Sequence, residues 1–231
     1  LHRVLIAVSQ LLADIPQIAE LDINPLIVDA RGAVALDARI RVSMAAPAGA
    51  LNFAIRPYPS QLVQTLDWHG RTMTLRPIRP EDEAQHLDFL EHLDPEDIRL
   101  RVFYSRRSIE RSELARLTQI DYAREMAFVA TAPDALGVER TLGVVRAVAD
   151  PDNVEAEFGI IVRSEMKGEG LGELLMRQLI DYLRQHGTQR LVATVLAENT
   201  RMLQLARELG FHEEPHRHET GTRWIELPLN A

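Results

Sequence analysis

The sequence contains no cysteine, a single lysine and few aromatic residues. The absence of cysteine excludes disulfide bonds, thiolate metal sites and a cysteine nucleophile. No stretch approaches the ~18 consecutive apolar residues of a membrane-spanning helix, so we predict no membrane insertion. Of the 26 basic residues, 25 are arginine and only Lys167 is lysine. The net charge is −8, and the chain as a whole therefore has no basic field for nucleic acid.

What is present is the composition of a globular protein with an apolar core. The 231 residues are 46% hydrophobic and 26% charged. The sequence begins at Leu1 in amphipathic material, without the charged region and cleavage site of a signal peptide. We therefore expect a fragment of a longer cytoplasmic protein. Three parts are predicted: a small helix-and-hairpin unit over 1–44, an Ala/Pro-rich linker over 45–61 and a larger domain over 62–231.

The larger part alternates between strand-like and helix-like patterns. Strands are read from period-two or continuous apolar runs, and helices from apolar residues spaced three to four apart. Strands are predicted near 62–68, 72–78, 126–131, 141–149, 154–163, 190–196, 211–218 and 222–228. Helices are predicted near 82–92, 95–103, 109–118, 170–186 and 200–209. This order predicts an α/β fold with a mixed sheet.

The most informative motif is a glycine-rich turn between the fifth predicted strand and the helix that follows it. It consists of Lys167, Gly168, Glu169, Gly170, Leu171 and Gly172. Glycines let backbone N–H groups approach a ligand, and the start of the helix adds free amides and a positive dipole end. The turn therefore predicts binding of an anion such as a pyrophosphate. Its spacing fits neither a P-loop nor a Rossmann fingerprint, and a glycine-rich connection without a ligand is the alternative.

Together with its flanking strand, this turn resembles motif A of the GNAT acyltransferase superfamily. The strand runs from Ala156 to Val162, and the turn supplies a Lys-x-x-Gly-x-Gly pattern. Further along, Asn199 and the Leu-Gly-Phe sequence at 209–211 resemble a second segment of that superfamily. The resemblance implies the GNAT fold, a mixed and mostly antiparallel twisted sheet flanked by helices.

The same resemblance implies acetyl-CoA or another acyl-CoA as co-substrate. The amides of 168–172 would hold its pyrophosphate, the backbone of Ile161 and Val162 would pair with the pantetheine arm, and a splay between the fifth and sixth strands would admit the thioester. Asn199 would contact the far side of the arm. The cofactor-binding residues implied in this way are Ile161, Val162, Lys167, Gly168, Glu169, Gly170, Leu171, Gly172 and Asn199. We expect this domain to need no metal.

Acyl transfer to an amine requires a base, for which Glu157 is the candidate. A lysine amine with a pKa of ~10.4 is neutral about once in 2500 times at pH 7, a cost of roughly 4.6 kcal/mol. A positioned carboxylate can take its proton. Glu157 occupies the strand beside the groove, where similar lysine acetyltransferases carry a glutamate base, and Glu155 on the same face is the reserve candidate. The alternative is that both are solvated strand acids.

Two other roles in the reaction follow from the same comparison. A backbone N–H of Ile161 or Val162 could stabilise the oxyanion of the tetrahedral intermediate. Many GNAT enzymes have a tyrosine general acid seven residues after the asparagine of the second segment. Ala206 occupies that position here, so we assign no general acid.

The first forty residues carry a second resemblance. Segments 20–28 and 35–40 resemble the end of an ATP-grasp domain in NDP-forming acyl-CoA synthetases. In that family an Asn-Pro asparagine and an aspartate of the next strand ligate Mg²⁺ beside ATP. The matching residues are Asn24 and Asp37, whose oxygen atoms suit Mg²⁺. Because most of such a domain is absent, we predict a magnesium site only in an intact ATP-grasp domain and no ATP binding by this chain alone.

The two resemblances together imply an enzyme similar to bacterial protein lysine acetyltransferases that regulate acyl-CoA synthetases. The expected partners are acyl-CoA, a protein that carries the target lysine and a synthetase-like N-terminal part of the same chain, with neither nucleic acid nor membrane. A small-molecule amine acetyltransferase and a non-catalytic acyl-CoA sensor are the alternatives. Since Lys167 is the single lysine, we expect the acceptor on another chain or elsewhere in this protein.

Overall fold

The computed structural model divides the chain into two compact units, residues 1–57 and 58–231. The residues that it describes are 2–15, 17–29, 32–43, 56–102, 110–216 and 219–230. Most of the predicted linker lies outside these ranges. Within them, no helix is both long enough and apolar enough to span a membrane.

The first unit consists of one helix and an interrupted hairpin, as predicted. Helix α1 (His2–Asp14) is followed by strands β1 (Ile18–Ile23), β2 (Leu26–Asp29), β3 (Gly32–Ala35) and β4 (Ala38–Val42). β1 pairs with β4 and β2 with β3, both antiparallel. The hairpin is interrupted at residues 24–25 on one strand and at residues 36–37 on the other, and Pro25 has no N–H to donate to a ladder.

The second unit is built on an eight-stranded sheet. Its strands are β5 (Gln64–Trp68), β6 (Arg71–Pro77), β7 (Glu125–Pro133), β8 (Glu139–Ala149), β9 (Glu155–Val162), β10 (Arg190–Leu196), β11 (His212–Pro215) and β12 (Thr222–Pro228). They lie in the order β11-β12-β10-β9-β8-β7-β6-β5. Among the described strands β9 and β10 are the one parallel pair, so the sheet is mixed and mostly antiparallel. This confirms the predicted fold class.

In the described ranges, five α-helices flank this sheet: α2 (Glu83–Glu91), α3 (Pro95–Val102), α4 (Arg111–Thr118), α5 (Leu171–Gln185) and α6 (Thr200–Glu208). The apolar stripe of α5 is buried against β7, β8 and β9. A Cβ at Gly143 of β8 would meet Leu175 of α5, whereas a Cβ at Gly159 of β9 would meet Arg101 of α3. Because residues 143 and 159 project from opposite faces of the sheet, α3 and α5 cover opposite faces.

The predicted helices and strands of this unit are all present, with ends shifted by a few residues. The largest shift is in β11, which ends at Pro215 whereas the prediction ran to residue 218. Residues 217 and 218 are outside the described ranges. The part of the fold that matters for the site is the β9–α5–β10 crossover. β9 and β10 are parallel, so they need a long connection, and α5 supplies it.

Candidate functional site: a cleft between two parting strands

The site is the gap that opens where β9 and β10 part. The two strands pair only from Glu155 opposite Arg190 to Glu157 opposite Val192. Beyond these residues, β9 continues beside β8 and β10 continues beside β12, but they no longer pair with each other. The predicted splay is therefore present. The resulting cleft has a volume of about 810 Å³ and is lined by α3, β9, the glycine-rich turn, β10 and α6.

The backbone of β9 offers free hydrogen-bonding groups along one wall of this cleft. At one end Arg163 N–H donates to Leu142 O of the neighbouring chain segment (2.7 Å), and at the other Asp150 N–H donates to Glu155 O (2.8 Å). Because an antiparallel ladder alternates, the odd-numbered residues of β9 direct their N–H and C=O groups to β8. The even-numbered residues Ile160 and Val162, which lie beyond the last residue paired with β10, direct theirs toward the cleft.

This alternation changes which residues of β9 can offer backbone contacts to a ligand. Val162 faces the cleft as expected, but the backbone of Ile161 belongs to the ladder with β8, opposite Val144. Ile161 lines the cleft and contributes its side chain there. The residue that sequence reasoning missed is Ile160. Whether the odd- or even-numbered residues of a strand direct their backbone groups to a given side is set by the register with the neighbouring strand.

The glycine-rich turn brings backbone amides together at the mouth of the cleft. Gly168 and Gly170 both have φ of +85°, a left-handed conformation that favours glycine. Leu174 N–H donates to Gly170 O (3.1 Å), so the N–H groups of residues 171–173 have no acceptor within the helix. They form the positive end of the 15-residue helix α5. The side chain of Glu169 is exposed, as an anion site requires.

Lys167 is engaged by an acid of α3. Its ammonium group forms an ion pair with the carboxylate of Asp97, which is buried. The second oxygen of that carboxylate accepts a hydrogen bond from Ser164 Oγ (2.6 Å). Asp97 thus fastens α3 to the turn, and the positive charge of Lys167 is partly neutralised. Sequence reasoning placed the lysine at the turn but could not supply its partner, which lies 70 positions earlier in the chain.

A second ion pair fastens α3 to the opposite side of the cleft. Arg99 Nη1 lies 2.7 Å from Glu198 Oε1, in the turn after β10, and Arg99 Nη2 lies 2.6 Å from Glu96 Oε1 on α3. Hydrogen bonds to these two carboxylates raise the pKa of Arg99. With the Lys167 pair, α3 is therefore held to both walls of the cleft.

The two candidate bases of β9 have different environments. Glu155 is paired with Arg190 (Oε2 to Nε, 2.8 Å), an ion pair across the parallel strands. Glu157 is exposed and lies at the last paired position, where the cleft begins. The Glu157 carboxylate is also close enough to Arg101 to counteract the lowering of that residue's pKa, which burial and Arg146 cause. Glu157 is therefore the better placed of the two carboxylates to reach a ligand.

Asn199 has a structural role as well as a place on the cleft wall. Its Oδ1 accepts a hydrogen bond from Met202 N (3.1 Å) and caps the N-terminus of α6. The side chain also lines the cleft. On the same helix Ala206 is buried, so this position offers no acid to the cleft.

The two predicted magnesium ligands lie side by side in the first unit. Asn24 N–H donates to Asp37 O (3.2 Å), and the Asp37 carboxylate pairs with Arg39 (Oδ2 to Nε, 3.3 Å). In the described ranges no three His, Asp or Glu side chains converge to hold a metal. The two residues alone therefore do not fit a magnesium centre, and their predicted role depends on an ATP-grasp domain larger than this segment.

Comparison with known proteins agrees with both resemblances. Residues 72–212 match the acetyltransferase (GNAT) domain family, and residues 1–42 match the ATP-grasp domain family. An acetyltransferase of Pseudomonas aeruginosa is 32% identical over 149 residues, covering 64% of this chain and 79% of its own. Acetyltransferase Pat of Mycolicibacterium smegmatis is 33% identical over 157 residues, covering 68% of this chain and 44% of its own length. This chain thus spans less than half of that relative.

Among solved structures, the GNAT domain of S. lividans PAT superimposes with a TM-score of 0.66 at 22% identity. The match covers 74% of this chain and 99% of that domain. At this identity the likeness establishes the fold. With the family match over 72–212 and the 32% identical relative, it leads to one conclusion: the chain belongs to the GNAT acetyltransferase family and is an acyltransferase.

Proposed function

We propose that the cleft binds acyl-CoA and that Glu157 accepts the proton of an attacking amine. The anion-binding end is the turn, where the N–H groups of residues 171–173 and the positive end of α5 would hold the pyrophosphate. From there the pantetheine arm would extend along β9, pairing with Ile160 and Val162 as an added strand would. The thioester would then lie where β9 and β10 meet, beside Glu157.

The chemistry is a direct attack on the thioester. The amine nitrogen forms a bond to the carbonyl carbon while its proton passes to the Glu157 carboxylate. Collapse of the tetrahedral intermediate breaks the carbon–sulfur bond, and coenzyme A leaves as a thiolate that takes a proton from solvent. The N–H groups of β9 that face the cleft can stabilise the oxyanion. Ala206 occupies the position of the family's tyrosine and supplies no acid for the thiolate.

The acceptor that we propose is a lysine of another protein. An ATP-grasp match is followed in this chain by a GNAT domain, the order of parts in the regulatory lysine acetyltransferases that the sequence resembles. Glu157 is exposed on the α3 side of the sheet, where a long side chain could reach it from outside. The acceptor protein that this architecture suggests is an acyl-CoA synthetase.

The observation that carries the proposal is the position of Glu157, which is exposed and lies at the residue where β9 and β10 part. Glu155, by contrast, is paired with Arg190. The test compares Glu157→Gln with Glu155→Gln in acetyl-CoA binding and in acetyl transfer. We expect Glu157→Gln to keep its affinity for acetyl-CoA and to lose at least a hundredfold in turnover, the scale of general-base catalysis. Glu155→Gln is expected to change turnover by less than a few fold.

Three outcomes would contradict the proposal in different ways. Wild-type turnover in Glu157→Gln would remove the mechanism. Transfer to free amines but not to a folded acyl-CoA synthetase would favour a small-molecule acetyltransferase. Binding of acetyl-CoA without transfer to either acceptor would favour a sensor.

A further inference from the structure

The guanidinium of Arg101 lies against the backbone of β9 at Gly159, in the lining of the cleft. A Cβ at residue 159 would overlap this guanidinium, so glycine at that position is what allows Arg101 to approach the strand. Gly159 is two residues from Glu157 and projects from the same face of β9. The charged end of Arg101 therefore lies over the place where acyl transfer is proposed to occur, on the side from which the acceptor would approach.

Arg101 differs from its cationic neighbours because it has no fixed anionic partner. Arg99 pairs with Glu96 and Glu198, and Lys167 pairs with Asp97. In the described part of the chain, Arg101 forms neither a hydrogen bond nor an ion pair within 4.0 Å.

The surroundings of Arg101 disfavour its charged form. Burial and the nearby charge of Arg146 lower the pKa of Arg101, and Glu157 offsets the effect only in part. Arg146 is itself paired with Glu125. Arg101 is half-buried and lines the cleft, so its guanidinium is placed to bind a ligand that brings a carboxylate.

We propose that Arg101 binds a carboxylate at the far end of the acyl chain, so that the preferred donor is the CoA thioester of a dicarboxylic acid such as succinyl-CoA. This inference rests on the proposed position of acyl-CoA in the cleft. The planar fork of a guanidinium matches a carboxylate with two parallel hydrogen bonds. The methyl group of an acetyl donor would cover Arg101 without offering its N–H groups a hydrogen-bond acceptor.

Two other anions in the reaction fit the site less well. The pyrophosphate is proposed at the turn, and β9 alone rises about 10 Å between Gly159 and Val162 before the turn begins. The oxyanion of the intermediate already has N–H donors in the plane of the sheet, from the even-numbered residues of β9. A carboxylate projecting from the acyl chain toward α3 is the anion that requires Arg101.

The experiment measures the affinities of acetyl-CoA and succinyl-CoA by calorimetry, without an acceptor. The proteins are the wild type, Arg101→Met, Gly159→Ala and Arg184→Met. Gly159→Ala keeps the cation but displaces it from the strand floor. Arg184 is an exposed residue near the end of α5, and its variant is a control for the loss of one positive charge.

We expect Arg101→Met to weaken succinyl-CoA binding at least tenfold relative to acetyl-CoA, the scale of a hydrogen-bonded charge pair. Gly159→Ala should weaken it in the same direction, and Arg184→Met should leave the ratio of the two affinities unchanged. If the ratio of the two affinities is unchanged in Arg101→Met, whether both stay the same or both fall equally, the inference is overturned and the proposed function is left intact. If neither thioester binds the wild type, the proposed function itself fails.

Discussion

The buried histidine of α2 should make the stability of the second unit depend on pH in a window that carboxylates do not share. His86 is only 3% exposed, and its Nδ1 has no hydrogen-bond partner among the described residues. Burial, reinforced by the charge of Arg146 and opposed by Asp82, lowers the pKa of His86 from 6.5 to about 4. The native state therefore holds a neutral imidazole over most of the pH range in which an unfolded histidine becomes charged.

The sign and size of the effect follow from proton linkage. The folded pKa lies below the unfolded one, so the unfolded state binds more protons, and stability falls as the pH falls from about 6.5 toward 4. A drop from pH 7.5 to pH 5 should cost about 2 kcal/mol from His86 alone, and the full difference between the two pKa values corresponds to about 3 kcal/mol. Carboxyl groups with a lowered pKa, such as Asp82, lose their contribution mainly below pH 4.

The assay is urea unfolding at pH 7.5, 6 and 5, for the wild type, His86→Leu and His212→Leu. Leucine cannot be protonated, so His86→Leu should lose about 2 kcal/mol less than the wild type between pH 7.5 and pH 5. His212 is exposed, and its variant should follow the wild-type profile. If His86→Leu and the wild type have the same pH dependence, the imidazole is not held neutral and the reasoning from burial is wrong.

Two further predictions test the turn and the core. Gly170→Asp should weaken acetyl-CoA binding at least tenfold by setting a carboxylate among the amides proposed to bind pyrophosphate, and it should cost about 1 kcal/mol in stability because residue 170 has a left-handed φ of +85°; unchanged affinity would contradict the pyrophosphate assignment. Asp82→Asn should cost about 3–5 kcal/mol in the free energy of unfolding, measured with urea, because it leaves Arg76 buried without the carboxylate that binds it through two bonds of 2.7 Å. A loss below 1 kcal/mol would show that the pair is solvated.

The fold and the glycine-rich turn could be predicted because their signals are local. The apolar stripe of α5 repeats at helical spacing within 15 residues, and the turn before it needs glycine at Gly168 and Gly170 for conformational reasons. The splay of β9 and β10 was predicted from the family resemblance. It is visible in the structure as pairing that stops at Glu157.

What the sequence could not reveal depends on how distant segments meet. The backbone N–H and C=O groups of Ile160 face the cleft because hydrogen bonds at both ends of β9 fix its register with the neighbouring segment. The positions of Asp97 and Arg101 depend on where α3 crosses the sheet, and helix periodicity contains no information on that. The one available signal was Gly159, a glycine inside a strand, which often marks a close approach by another group.

The single lysine now bears on where the acceptor is. A lysine modified in its own active site would have to be neutral and free to reach a thioester, but Lys167 is held by Asp97 on the side of the cleft where the pyrophosphate is proposed. An amine held by this carboxylate is not free to attack a thioester. No other side chain in this sequence carries a primary amine. If the proposed reaction occurs, its lysine must therefore approach Glu157 from outside these 231 residues, on the face of the sheet that α3 and Arg101 cover.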